Sequence, residues 1–405
     1  MTTAMPRHNW DADIARRTQT LGGGEITAIL ALAGATDVIT FSGGFPAPET
    51  FATEALAEIA QRLISSDPAV ALQYSATEGL ASVRDYVSGR LTSVQGRTPE
   101  AGELMITSGG IDCMELVAKT YLDPGDLVVV EAPTYLGAIM AFRGYEADVQ
   151  GVPIDADGLR VDVLASRLAA GMRPKILYTI PDFQNPSGLS MTLERRQELV
   201  ALARQHGFMI LEDVAYRDLS FAGPPPPTLW SLAPDVVVQA GTFSKVFCPG
   251  FRLGWAAGPA EVVARLVVAK QNSDQCSGAL GQRMLEEYGR GGHMERQIVE
   301  SRALYRRRAA LTGEALAAHM PDGTTWTTPA GGFYYWVTAP EGTDTVALSA
   351  AARAKKVAYV PGRPFYPGDD GHAQIRLSYS RVAEDVIGEG IRRIGEVLTT
   401  ALEGR

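Results

Sequence analysis

The 405-residue chain has 46% hydrophobic and 20% charged residues, the make-up of a globular protein long enough for two packed lobes. Its formal charge of −9 argues against a nucleic-acid partner, because the only basic cluster, Arg306 to Arg308, reads as a solvated helical face. No segment reaches the apolar length of a membrane helix, the first 17 residues lack the apolar core of a secretory signal, and Cys113, Cys248 and Cys276 form no CxxC pair, so the expectation is reduced thiols, no structural zinc and a cytoplasmic setting.

In chain order, residues 51–64 read as an amphipathic helix with Phe51, Ala55, Leu56, Ile59 and Leu63 on one face. Short apolar runs at 104–107, 127–131, 175–180, 208–212 and 235–240 then alternate with helical stretches such as 112–121 and 193–206. The runs are rich in Val, Ile and Leu without clean polar alternation, as in strands covered on both faces. The pattern predicts an α/β fold with a mostly parallel central sheet covered by helices, its ligand beyond the carboxyl ends of the strands. Pro224 to Pro227 must be a loop. A long helical pattern over 261–318, broken at 289–292, leads into a stretch of different character. Strand-like pieces at 333–337, 358–360 and 374–379, with a final helix from Ala383, read as a smaller α+β lobe. The expected division is 1–50 for an N-terminal arm and part of the small domain, 51–300 for the large domain and 301–405 for the rest of the small one.

Three polar residues fall at or just past predicted strand ends: Asn185 in the turn PDFQNPSG, Asp213, and Lys245. A carboxamide, a carboxylate and an amine on the ligand edge of one sheet suit an electron-poor aromatic cofactor. Each also has a plainer reading, as turn chemistry, a cap or a solvated lysine.

These residues sit in segments that together resemble the fold-type I pyridoxal-phosphate enzymes of the class I/II aminotransferase family, nearest the branch of 2-aminoadipate and kynurenine aminotransferases. SGGFPAPETF, LQYSATEGL, PDFQNPSG, LEDVAY, TFSKVFCPGFRLGW and IRLSYS occur in the family's order and span nearly the whole chain. The resemblance implies that Lys245 forms a Schiff base with pyridoxal phosphate and moves the substrate Cα proton. It implies that Asp213 pairs with the ring nitrogen, that Asn185 and Tyr216 bond the ring's phenolic oxygen, and that Tyr135 stacks on the ring. Gly110, Ile111, Thr242, Ser244 and Arg252 are expected at the phosphate, with Tyr74 reaching it from a neighbouring subunit of a homodimer. Arg376 is expected on the substrate carboxylate, and Gly44 and Tyr334 on the substrate side; Tyr334 reads equally well as a core aromatic. The expected partners are an amino acid and a 2-oxo acid, with no metal, no nucleic acid and no membrane.

The pattern departs from the family in two places. Relatives usually carry Ser-Gln-Gln where this chain has Gly110, Ile111 and Asp112. A carboxylate there repels a phosphate, so Asp112 is expected to point away. The segment from Thr18 to Gln61 contains no Lys or Arg, which favours neutral or aromatic side chains over aminoadipate. Other reactions of the same cofactor, such as decarboxylation, lyase chemistry, racemisation or oxygen use, remain the alternative. A ligand-sensing transcription regulator is disfavoured, because the resemblance begins near residue 20, as is a non-catalytic binding protein.

Overall fold

The computed structural model describes residues 8–19, 24, 27, 29 and 37–404. Near the amino end, β1 (Ile39–Thr40) leads to helix Thr53–Ser66, two residues later than the apolar pattern suggested. The large sheet is then laid down as β2 (Leu104–Thr107), β3 (Leu127–Ala132), β4 (Asp148–Asp155), β5 (Gly158–Leu159), β6 (Ile176–Thr179), β7 (Met209–Asp213), β8 (Val237–Thr242) and β9 (Gly254–Ala257). Across the sheet the order is β2-β9-β8-β7-β6-β3-β4-β5. Strands β8, β7, β6, β3 and β4 run parallel, whereas β9 is antiparallel to both β8 and β2, and β5 to β4. Every residue of β2, β6 and β9 is buried, which explains their lack of polar alternation.

Three strands of this sheet escaped the sequence reading, the two-residue β5 among them. β4 reads DVQGVPID, polar and interrupted by Gly and Pro, and β9 is only the four residues GWAA. The helical pattern after the sheet is three helices, Ala260–Gln271, Ala279–Arg290 and His293–His319. The unexpected break falls at 272–278, where Asn, Ser, Asp and Gly favour turns over helix.

The carboxyl-terminal part adds β10 (Thr325–Trp326), β11 (Tyr334–Thr338), β12 (Val357–Ala358), β13 (Val360–Pro361) and β14 (Gln374–Ser378), then helix Ile387–Glu403. A four-stranded antiparallel sheet has the order β10-β11-β14-β13, while β12 pairs in parallel with β1. The single strand expected at 358–360 is thus split between two sheets, and Pro361 sits on an edge strand, where its missing N–H is tolerated.

The arginine cluster needs correction. Arg308 is buried, donating to Ser380 O at 2.5 Å and pairing with Glu49. It shares a helix face with the buried Tyr305 and Thr312, at three- and four-residue spacing. Arg307 does face outward, paired with Glu384. Among the described residues no helix is long and apolar enough to cross a membrane, and no group of ligating side chains could hold a metal ion.

Candidate active site

Strands β6, β7 and β8 are neighbours, and their carboxyl ends open into a cavity of about 260 Å³. With one exception, every candidate residue named from the sequence lines it. The exception is Tyr74, which is 78% exposed and lies on the surface of its own chain.

Lys245 follows β8 by three residues, and its Nζ donates to Gly44 O at 2.9 Å. Lys245 lines the cavity and is half-buried. Burial, aided by the positive charges of Arg376 and Arg252 and opposed by Asp213, pushes it down to about 8. Asp213 closes β7 and is buried; Oδ2 accepts from the Tyr178 hydroxyl at 2.9 Å and Oδ1 from the Ala215 N–H at 3.0 Å. Burial raises its carboxyl above the ordinary range, against the pull of those two donors and of Lys245.

Asn185 rides a loop after β6 that is fastened at several points. Arg196 and Arg217 both clamp the buried Asp182, at 2.6 and 2.7 Å. Gln184 donates to Glu131 at 3.0 Å and to Pro133 O at 2.7 Å, and accepts the Ser187 N–H at 2.9 Å. The Asn185 carboxamide is therefore held in place before any ligand arrives. Its Oδ1 accepts from Arg376 Nη1 at 3.0 Å, and Arg376 Nη2 donates to Ser42 O at 2.7 Å. The guanidinium packs over the rings of Tyr334 and Phe365, 4.6 and 4.9 Å from their centroids. Its Nε is buried without a partner, an unsatisfied donor on a cation that lines the cavity.

Tyr216 and Tyr334 share a hydroxyl–hydroxyl hydrogen bond of 3.0 Å, and burial raises the Tyr216 phenol well above its usual value. Tyr334 is both of the things the sequence allowed, a fully buried aromatic and a wall of the cavity. Gly44 is required by this packing, because a Cβ there would lie 2.1 Å from the Tyr334 hydroxyl oxygen. Tyr135 lines the same space, its phenol pushed up to about 12 by burial.

At the other end, Thr242 Oγ1 donates to Ser244 Oγ at 3.0 Å, and Arg252 Nη1 donates to the same oxygen at 3.2 Å. Arg252 adopts φ +53° after the turn Pro249–Phe251, a left-handed conformation that a non-glycine residue adopts at a cost. Gly109, at φ +101°, makes room for it: a Cβ there would approach its guanidinium to 2.6 Å. Gly110 opens helix Gly110–Tyr121, whose first N–H groups lack intrahelical partners. Hydroxyls, a guanidinium and a helix start together make an anion site. Asp112 does not line the cavity; its Oδ2 accepts the Ser108 N–H at 2.7 Å and Lys270 Nζ at 2.9 Å.

The apolar wall of Phe45, Leu136, Ile180 and Phe365 was not picked out from the sequence, since apolar residues in strands and helices carry no mark of facing a cavity. Tyr178 was missed as a partner of Asp213, although its place on β6, the strand next to β7, was a usable signal. The whole arrangement fits an aromatic aldehyde bearing an anionic group: an amine to condense with it, a buried carboxylate for a ring nitrogen and a cup for the anion.

Residues 36–394 match the family described as aminotransferase class I and II. Aromatic-amino-acid aminotransferase 1 of Thermococcus litoralis is 37% identical, the match covering 97% of this chain and 95% of that protein. The structure of Pyrococcus horikoshii kynurenine aminotransferase, solved with PMP and kynurenine, is similar at a TM-score of 0.93 and 36% identity, covering 97% of this chain and 98% of that one. LysN, the alpha-aminoadipate aminotransferase of Thermus thermophilus, solved with N-(5'-phosphopyridoxyl)-L-leucine, is similar at a TM-score of 0.92 and 34% identity, covering 98% and 100%.

Proposed function

The chain belongs to the aminotransferase class I and II family, and from that premise we propose that it moves the amino group of an L-amino acid to a 2-oxo acid in two ping-pong half-reactions, with pyridoxal 5′-phosphate as cofactor and Lys245 as the Schiff-base lysine. The observation that carries the reading is a half-buried lysine amine, pushed down to about 8, in the same cavity as a buried carboxylate on the adjacent strand end. When bound, the cofactor supplies an electron sink for the bond broken at the substrate Cα.

The protein's own groups supply the rest. Asp213, held by the Tyr178 hydroxyl and the Ala215 N–H, would keep a proton on the cofactor's ring nitrogen. Asn185 and Tyr216 would hydrogen-bond the cofactor's phenolic oxygen, and Tyr135 would pack against its ring. Thr242, Ser244, Arg252 and the N–H groups of Gly110 and Ile111 hold the phosphate. Arg376 takes the substrate carboxylate beside Asn185, with Gly44 and Tyr334 on the substrate side. Lys245 Nζ would carry the proton to and from the substrate Cα.

Among the described residues lining the cavity, the cations are Lys245, Arg252 and Arg376, each with a task in this scheme. None is left for a side-chain carboxylate, while Phe45, Leu136 and Phe365 offer apolar wall. This supports neutral or aromatic amino acids as donors. Leu72, 61% exposed, and Tyr74 form a surface that suits a second copy and a shared site. A small domain built from both chain ends is supported by the β1–β12 pair, and a cytoplasmic setting by free cysteines.

The test is to add single amino acids to the cofactor-loaded protein without an acceptor. The proposal expects bleaching of the visible cofactor band with one equivalent of 2-oxo acid, faster with leucine or an aromatic donor than with aminoadipate. A persistent band with release of carbon dioxide, ammonia or a racemised amino acid contradicts it.

A further inference from the structure

Lys270, at the end of helix Ala260–Gln271, is completely buried yet does not line the cavity. Its ammonium donates to Asp112 Oδ2 at 2.9 Å, to Asp274 Oδ2 at 2.6 Å and to Ser108 Oγ at 3.1 Å. Taking an ammonium out of water is costly unless it is well paired, so its role lies with these partners. Asp274 is 36% exposed and partly solvated, whereas Asp112 is only 14% exposed.

Asp112 also occupies a sensitive place. It is the third residue of helix Gly110–Tyr121, whose first turn forms part of the anion-holding end. An uncompensated carboxylate there favours the helix dipole but opposes a phosphate on the same turn. The oxygen that takes the Lys270 proton donor is the one that accepts the Ser108 N–H, at 2.7 Å. Ser108 Oγ is tied in turn to Asp274 at 2.5 Å and to Ser277 Oγ at 3.1 Å. One lysine thus holds together both carboxylates and the turn that starts the helix.

We propose that Lys270 is a positioning residue for the cofactor's phosphate. It offsets the charge of Asp112 and keeps that carboxylate on the Ser108 amide, out of the cavity, so that the Gly110 turn presents a favourable field to an anion. The inference rests on the pyridoxal-phosphate reading above.

The experiment titrates the full-length apoprotein with pyridoxal phosphate and, separately, with pyridoxal, which lacks the phosphate. Lys270→Met is expected to weaken pyridoxal phosphate by about tenfold or more and pyridoxal by less than about twofold. Adding Asp112→Asn to that variant is expected to restore most of the lost affinity, because the uncompensated charge is gone. Lys270→Gln, which keeps a hydrogen-bond donor without the charge, carries the same expectation if the methionine variant does not fold. Unchanged affinity for pyridoxal phosphate overturns the proposal. So does an equal loss for both ligands, the mark of a merely structural role, and so does failure of Asp112→Asn to rescue. Wild-type protein that binds neither ligand overturns the cofactor reading itself, and the inference with it.

Discussion

At one end of the cavity, Arg376, Asn185, Tyr216 and Tyr334 are buried, and hydrogen bonds join them in two pairs within the single chain. At the other, Arg252 is exposed, Ile111 is 38% exposed, and Thr242 and Gly110 are only half-buried. The first end, proposed for the substrate, is built within one chain from strands of the small sheet, a fastened loop and a segment near β1. The end proposed for the phosphate is open towards solvent, as a site completed by a second copy would be. Exposed Tyr74, which serves no purpose in its own cavity, matches that difference.

Substitutions between and at the two ends should have effects of different size. Lys245→Ala should abolish the half-reaction, lowering its single-turnover rate by about 10⁴-fold or more, since the nucleophile and the proton carrier are lost together. At the buried end, Arg376→Gln should cost about 10²-fold in kcat/KM for amino acids, because a charged, preorganised hydrogen-bonding fork is removed. Cofactor affinity should change little. A comparable loss of cofactor affinity would show that the two ends are not independent.

At the open end, Tyr74→Phe should weaken cofactor binding by about tenfold, as loss of one hydrogen bond to an anion does. If the proposed dimer completes the site, the defect should depend on protein concentration. A variant with unaltered affinity would mean that the open end is complete within one chain. The smallest expected change is that of Asp112→Asn alone, within about threefold in cofactor affinity; a gain above tenfold would show that this carboxylate faces the phosphate after all.

The pH dependence of cofactor loading sharpens the picture of Lys245. Only the neutral amine condenses with an aldehyde, and burial favours that form by lowering the amine to about 8. The neutral fraction therefore rises as pH passes through about 8, not through the ordinary lysine value of about 10.4. Stopped-flow absorbance of the apoprotein mixed with pyridoxal phosphate should follow that rise and level off above it. A rate still climbing steeply at pH 10 would mean that burial does not lower the amine.

Much of this was legible in the sequence because the key residues sit where strands stop. Apolar runs ending in Asp213 and just before Asn185 and Lys245 point three functional groups at one edge, and the family's motifs attach roles to them. Less legible were features set by packing between distant segments. The strand β9 is too short to announce itself, and β4 is too polar. Arg308 looked solvated because three arginines in a row hide which one faces inward. Lys270 could not be read at all, since its partners Asp112 and Ser108 are more than 150 residues away in sequence.

Lys245 is proposed to hold the cofactor through a covalent bond that reduction can trap. Reducing the pyridoxal-phosphate-loaded protein with borohydride and mapping the modified peptide by mass spectrometry tests it most directly. The expected result is one pyridoxyl group per chain, on Lys245. A group found instead on Lys119, Lys175, Lys270, Lys355 or Lys356, or no covalent adduct at all, would contradict it.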